Sequence, residues 1–248
     1  MPSSSLISVT PLLPVAMLAL IALGGLAAWL GRLGHGRAVV TACLRAALQL
    51  AAVSALITWV VAYSAAIAGF ILLMYAVATY TAGRRVTGSG RGWWWAGIPV
   101  AAGTAPVLGL LAGFKVISGA GIVVIPVAGI LLGGCLTATA LAGRRAVEEL
   151  TQRRGEVEAA LSLGFMPRDA AMEICRPAAA QALVPALDQT RTVGLVTLPG
   201  AFVGMLLGGA SPLEAGLVQL VVLVALLAAE AVAVLVTVEL VSRGHFTS

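Results

Sequence analysis

Residues 215–241 read AGLVQLVVLVALLAAEAVAVLVTVELV, an apolar run with no basic residue and with acidic ones only at Glu230 and Glu239. At 1.5 Å per residue such a helix is about 40 Å long, more than the roughly 30 Å of a bilayer's hydrocarbon layer. The run lacks the alternation of a membrane barrel strand, so a spanning helix is the structure that satisfies its backbone in lipid.

Six further stretches upstream read the same way: 12–30, 39–61, 64–81, 93–112, 121–142 and 192–208. The whole composition agrees. Hydrophobic residues make up 60% of the 248 and charged ones 10%, and mean hydropathy is +1.04. A soluble domain carries about a quarter charged residues, so the bilayer must be the solvent for most of this chain. The expected fold is all-α: a polytopic transmembrane helical bundle of about seven spans. We expect one transmembrane domain over 1–248 with a single long water-exposed loop at 143–191.

The net charge of +5 does not point to nucleic acid, because the arginines sit in the short connections between apolar runs. Arg32 and Arg37 follow the first run, Arg84, Arg85 and Arg91 the third, Arg144 to Arg176 the fifth, and Arg243 the seventh, whereas the intervening connections carry Lys115. The positive-inside rule then puts the N-terminus outside and the C-terminus in the cytoplasm, in a cytoplasmic membrane. Trp59 and Tyr63, and Trp93 to Trp95, fit interfacial anchors. Residues 1–10 have no basic region ahead of the first apolar run, so that run is expected to stay as a span. Cys43, Cys135 and Cys175 have no metal-binding or redox spacing and read as small core residues. Gly129/Gly133 and Gly200/Gly204/Gly208 place small residues on one helical face, where backbones can approach.

The loop at 143–191 carries the mechanical reading. Residues 143–150 extend the fifth span into water as a charged helix. Residues 156–164, EVEAALSLG, form a short helix ended by glycine. Phe165-Met166-Pro167 turns the chain, and Arg168 to Cys175 begins a second short helix expected to stop at Pro177. Glu158-Ala159-Ala160, with Gly164, Ile174 and Pro177 at the observed spacing, resembles the EAA coupling signature of bacterial ABC permeases, with Arg176 in place of the signature's leucine. The resemblance implies that this elbow docks on a separate ATPase. No Gly-x-x-x-x-Gly-Lys-Ser/Thr occurs, so we expect no ATPase activity in this chain; ATP and Mg2+ would be handled by the partner subunit. The Gly88-Ser89-Gly90 run lacks the spacing of a nucleophile elbow.

A second resemblance extends over nearly the whole chain. LRAALQL (44–50), IPVAG (125–129), the EAA elbow, GLVTLPG (194–200) and GGASP (208–212) are together similar to the FetB/YbbM permease family. The resemblance implies a homodimer docked on two ABC ATP-binding subunits, with metal export, iron in particular, as the family's bacterial association and aluminium tolerance as its plant one. The chain departs from the family where polar Asn and Met residues are expected: residues 130–137 read ILLGGCLT and 201–205 read AFVGM.

Within the spans, Arg45, Gln49, Glu230 and Met205 are the candidate path residues. Arg45 and Gln49 lie one turn apart on one face, and Arg45 could equally snorkel to the headgroups. Glu230 is deep in the last run and could line a path, pair with Arg45 or stay neutral. Asp188 and Arg191 read as a local helix pair. An ion-coupled secondary transporter or a channel, without an ATPase partner, is the alternative to an ATP-driven permease.

Overall fold

The computed structural model describes residues 12–88, 91–117 and 121–246; the expectations for residues 1–10 and for Ser89 lie outside them. The described residues are helical, with a single isolated β-bridge, Val193 to Thr197. Two compact units emerge, Met1–Val60 and Val61–Ser248.

In the first unit, α1 (Leu12–Leu30) and α2 (Gly36–Ala62) form a hairpin closed by small residues. A Cβ on Gly36 would stand 3.4 Å from the Gly25 carbonyl oxygen, and one on Gly24 would stand 3.4 Å from Val39 Cγ1. Most of the large side chains of α1 are exposed, as expected of a helix whose solvent is lipid.

The second unit contains α3 (Ser64–Thr87), a 3-10 turn Trp93–Ala96 leading into α4 (Gly97–Gly113), α5 (Gly121–Gln152), α6 (Arg154–Ser162), α7 (Pro167–Ala180), a 3-10 turn Gln181–Leu183, α8 (Val184–Thr192), α9 (Gly200–Leu207) and α10 (Pro212–Ser242). Among the described residues six helical stretches are long and apolar enough to cross a membrane: α1, α2, α3, Trp93–Gly113, Val123–Gln152 and α10. Two buried clusters hold the second unit together. One gathers Ala78, Val100, Leu131, Cys135 and Ala229 from α3, α4, α5 and α10. The other gathers Ala82, Ala142, Cys175, Val238 and Val241, and docks α7 onto one end of α3, α5 and α10.

Alanine and glycine let these helices pack with backbones nearly touching. A Cβ on Gly83 of α3 would fall 2.2 Å from the Trp93 carbonyl oxygen, and one on Gly103 of α4 would fall 2.4 Å from the Ala229 carbonyl oxygen of α10. On α5, a Cβ at Gly143 would meet Val86 Cγ2 at 2.6 Å. The glycine faces expected from sequence are different ones. Gly133, Gly200 and Gly204 have nothing within 4 Å, Gly208 meets only the backbone of the preceding turn, with Met205 O at 3.3 Å, and Gly129 meets Met74 Cε at 2.9 Å. Spacing alone could not tell which side of each helix turns inward.

The sixth apolar stretch, 192–208, is not one helix. α8 stops at Thr192, residues 193–199 are unwound, and α9 adds eight residues. The cause is local. Gly194 takes φ 82°, and its N–H donates to the Thr197 carbonyl at 2.9 Å. Pro199 lacks an N–H and is extended at φ −65°, ψ 154°. Together with the 3-10 turn and α8 that precede it, the segment runs along α10. Ala182 is buried with Val238 and Val241 near the end of α10, whereas Met205 borders a cavity with Leu217 and Val218 near its start.

Two other boundaries differ from expectation. α7 continues through Pro177 to Ala180. The missing N–H deprives the Glu173 carbonyl of its usual partner, but Pro177 lies in the last turn, where buried Cys175 and Ala179 dock the helix on the core. The charged extension of the fifth span is confirmed, with α5 unbroken to Gln152.

Candidate functional site

The elbow is built by chain-local rules. Arg153 precedes α6; its Nε donates to Glu156 Oε1 at 2.7 Å, holding the Glu156 carboxyl below the usual range at the positive end of the helix. Glu158 is paired with Arg154 across one turn at 3.0 Å. Glu158, Ala159 and Ala160 all lie on α6, which has no fully buried residue. The helix closes with a Schellman cap: the Gly164 N–H donates to Leu161 O at 3.0 Å and the Phe165 N–H to Ala160 O at 3.1 Å. Gly164 therefore takes φ 93°, with nothing within 4 Å of its would-be Cβ. Glycine is required there by conformation, not by space. Leu163, Phe165 and Met166 stand exposed around the turn, Leu163 at 81%. The elbow thus presents an apolar tip carried by a charged helix.

α7 returns the chain to the core. Ile174 is buried, whereas Pro177 is exposed. Burial pushes the Cys175 thiol up, which suits a packing residue. At the start of α7, Arg168 Nε donates to Glu239 Oε1 at 2.7 Å and its Nη2 to Glu239 Oε2 at 2.6 Å. A second arginine, Arg243, donates to the same Glu239 Oε1 at 2.7 Å, and Arg168 Nη1 reaches Asp169 at 2.7 Å. This two-pronged pair joins the elbow to the end of α10 across 71 positions of sequence, and nothing in the sequence marks it.

The expected path residues fall in both units, and the two in the second unit, Met205 and Glu230, border different cavities. Arg45 and Gln49 are exposed on α2 in the first unit. Met205 borders a cavity of about 1040 Å3, whose walls are aliphatic side chains of α4, α5 and α10 with Lys115 among them. Glu230 lines a different cavity of about 280 Å3 with Gly134, Thr137 and Gln189. Within its unit and among the described residues, Glu230 has no ion-pair partner; it is 8% exposed. A further buried amide, Gln219, was not singled out by sequence, although a lone glutamine in an aliphatic run is itself a signal. Asp188 and Arg191 do pair, at 3.5 Å. Among the described residues no three His, Cys, Asp or Glu side chains cluster.

Comparison with known proteins adds a family. The model of the uncharacterised protein family UPF0014 matches residues 12–246. The UPF0014 membrane protein STAR2 of Oryza sativa subsp. japonica is 36% identical over 238 residues, covering 94% of this chain and 83% of that one. The protein ALUMINUM SENSITIVE 3 of Arabidopsis thaliana is 33% identical over 238 residues, with 94% and 86% covered. The probable iron export permease protein FetB of Escherichia coli (strain K12) is 30% identical over 125 residues, half of this chain and 48% of that one. No solved structure matches.

Proposed function

The chain belongs to the UPF0014 family of multi-pass membrane proteins, and from that premise we propose that it is the permease subunit of an ATP-driven transporter whose ATPase is a separate chain. The observation that carries this reading is the elbow: a solvent-exposed helix, a left-handed glycine and a second helix clamped to a spanning helix by Arg168 and Glu239. Such an assembly has little purpose in a channel, but it suits a lever pushed from the cytoplasm. ATP binding closes two partner ATPase subunits, the Leu163–Met166 tip moves with them, and α7 passes the displacement to α5 and α10. The chain acts as a pair with a second copy, in a cytoplasmic membrane with its N-terminus outside. The substrate proposed is a metal ion such as iron, moved outward, in line with the name borne by the E. coli relative.

The test is co-expression with an ABC ATP-binding subunit. The two chains should co-purify, and Fe2+ should stimulate ATP hydrolysis by the reconstituted complex. Failure of the chain to recruit any such subunit, together with metal flux that follows an ion gradient without ATP, would replace this reading by the ion-coupled one.

The Arg168–Glu239 clamp has its own expected result. The pair is solvated and its charges are screened, so Arg168→Ala should barely move the melting temperature. It should nevertheless reduce transport per ATP hydrolysed several-fold, because the elbow then moves without α10. The charge-swapped double variant Arg168→Glu with Glu239→Arg should recover part of the loss. Equal transport-to-hydrolysis ratios in all three proteins would dismiss the clamp.

A further inference from the structure

Two cavities lie one after the other along a single face of α10, and each contains a polar side chain more than nine-tenths buried. The first, about 340 Å3, is lined by Val193, Gly194, Pro199 and Phe202 of the broken sixth stretch and by Gln219 of α10. Gln219 is 5% exposed, and its Oε1 has no hydrogen-bond partner. The second, about 280 Å3, is bounded by Gly134 and Thr137 of α5, Gln189 of α8 and Glu230 of α10. Gln219 and Glu230 are eleven residues apart, which is three helical turns and roughly 16 Å along the same face.

A buried acceptor with no donor and a buried carboxylate with no basic partner are both costly in a spanning segment, and such groups persist where a ligand visits them. Neither cavity is lined by Lys, Arg or His. What they offer is oxygen: a carboxylate, two amide oxygens and a hydroxyl, the donor set of a hard cation. The larger aliphatic cavity has the opposite character, with Lys115 in its wall to repel positive charge. The element facing both small cavities is the one whose helix is interrupted, and unwound backbone inside a membrane protein is found where it borders a cavity. The scarcity of ligands, with no cluster of three among the described residues, suits passage, because conduction needs sites weak enough to leave.

We propose that a cation path runs inside one protomer, between α10 and the broken segment 182–205, with Glu230 and Gln219 as successive stations. It rests on the permease reading but is tested without the ATPase. In a background with Cys43, Cys135 and Cys175 replaced by alanine, Gln219→Cys is treated in native membranes with the cationic reagent 2-aminoethyl methanethiosulfonate and the anionic 2-sulfonatoethyl methanethiosulfonate. Val224→Cys, exposed on another side of α10, is the control.

The Gln219→Cys thiol should react with the cationic reagent at least tenfold faster than the control. Its preference for cation over anion, normalised to a free thiol, should be at least fivefold and should vanish with Glu230→Gln. Phe202→Cys, across the same cavity, gives a second reading should Gln219→Cys fail to fold. Rates no faster than the control, or a preference that survives Glu230→Gln, would overturn the path. Failure to recruit an ATPase would leave the labelling pattern unchanged, so the two proposals fail separately.

Discussion

Gly164→Val should lower ATP-driven transport at least tenfold while the protein still inserts and purifies as a monodisperse species. Gly164 sits at φ 93° with open space around its missing Cβ, so the substitution meets no clash. What it meets is conformation. An L-residue in the left-handed region costs about 1–2 kcal/mol, and a β-branched one is a true outlier there. That is enough to open the Schellman cap and swing α6 away from α7, yet too local to unfold spans that bury none of it. The informative companion is Gly164→Asn, because asparagine tolerates left-handed backbone and should keep most of the transport. Measured in proteoliposomes with the ATPase partner, a large loss for valine beside a small one for asparagine ties coupling to the bend. Equal losses would attribute the effect to surface chemistry instead.

Gly103→Val should strongly destabilise the second unit. The new Cβ would lie 2.4 Å from the Ala229 carbonyl oxygen and 2.7 Å from Cys135 Sγ. The first of these is backbone of a long helix, which cannot rotate aside as a side chain can. Overpacking of a tight core costs roughly 1–3 kcal/mol, more where backbone must move, so about 3 kcal/mol is expected. For a chain of this size that is a fall in melting temperature of roughly 6–12 °C. Gly109 on the same α4 has nothing within 4 Å, and Gly109→Ala should hold or slightly raise stability by removing backbone freedom. Thermal unfolding in detergent of both variants checks the contrast; similar melting temperatures would contradict the close α4–α10 approach.

The legible part of this protein was what depends on neighbours in sequence. The apolar run 12–30 is helical throughout and ends with α1 at Leu30, and the charged continuation of the fifth span is one helix with it. The elbow was readable because a glycine after a short helix has one common use. The stretch 192–208 was read as a span because hydropathy sums over a window, whereas the helix obeys individual residues: Gly194 and Pro199 interrupt it without lowering the average. Pro177 misled in the opposite sense, since docking of α7 on the core carries the helix past a residue that would end an isolated one. The clamp between Arg168 and Glu239, and the stacking of the cavities beside Gln219 and Glu230, depend on which turns of distant helices face one another. No local pattern encodes that.

α5 can be considered as a rigid rod on a fulcrum. Gly143 presses against Val86, leaving about 33 Å of helix on the lipid side and about 13 Å on the watery side. A rod pivoting there behaves as an unequal seesaw: a small stroke at Gln152 becomes a stroke roughly twice as large beside Val123. In the proposed transporter a shift of only 2 Å at the foot would therefore sweep the stretch beside Val123 by about 4 Å, with Pro126 inside the helix as the one place where the shaft lacks a backbone hydrogen bond.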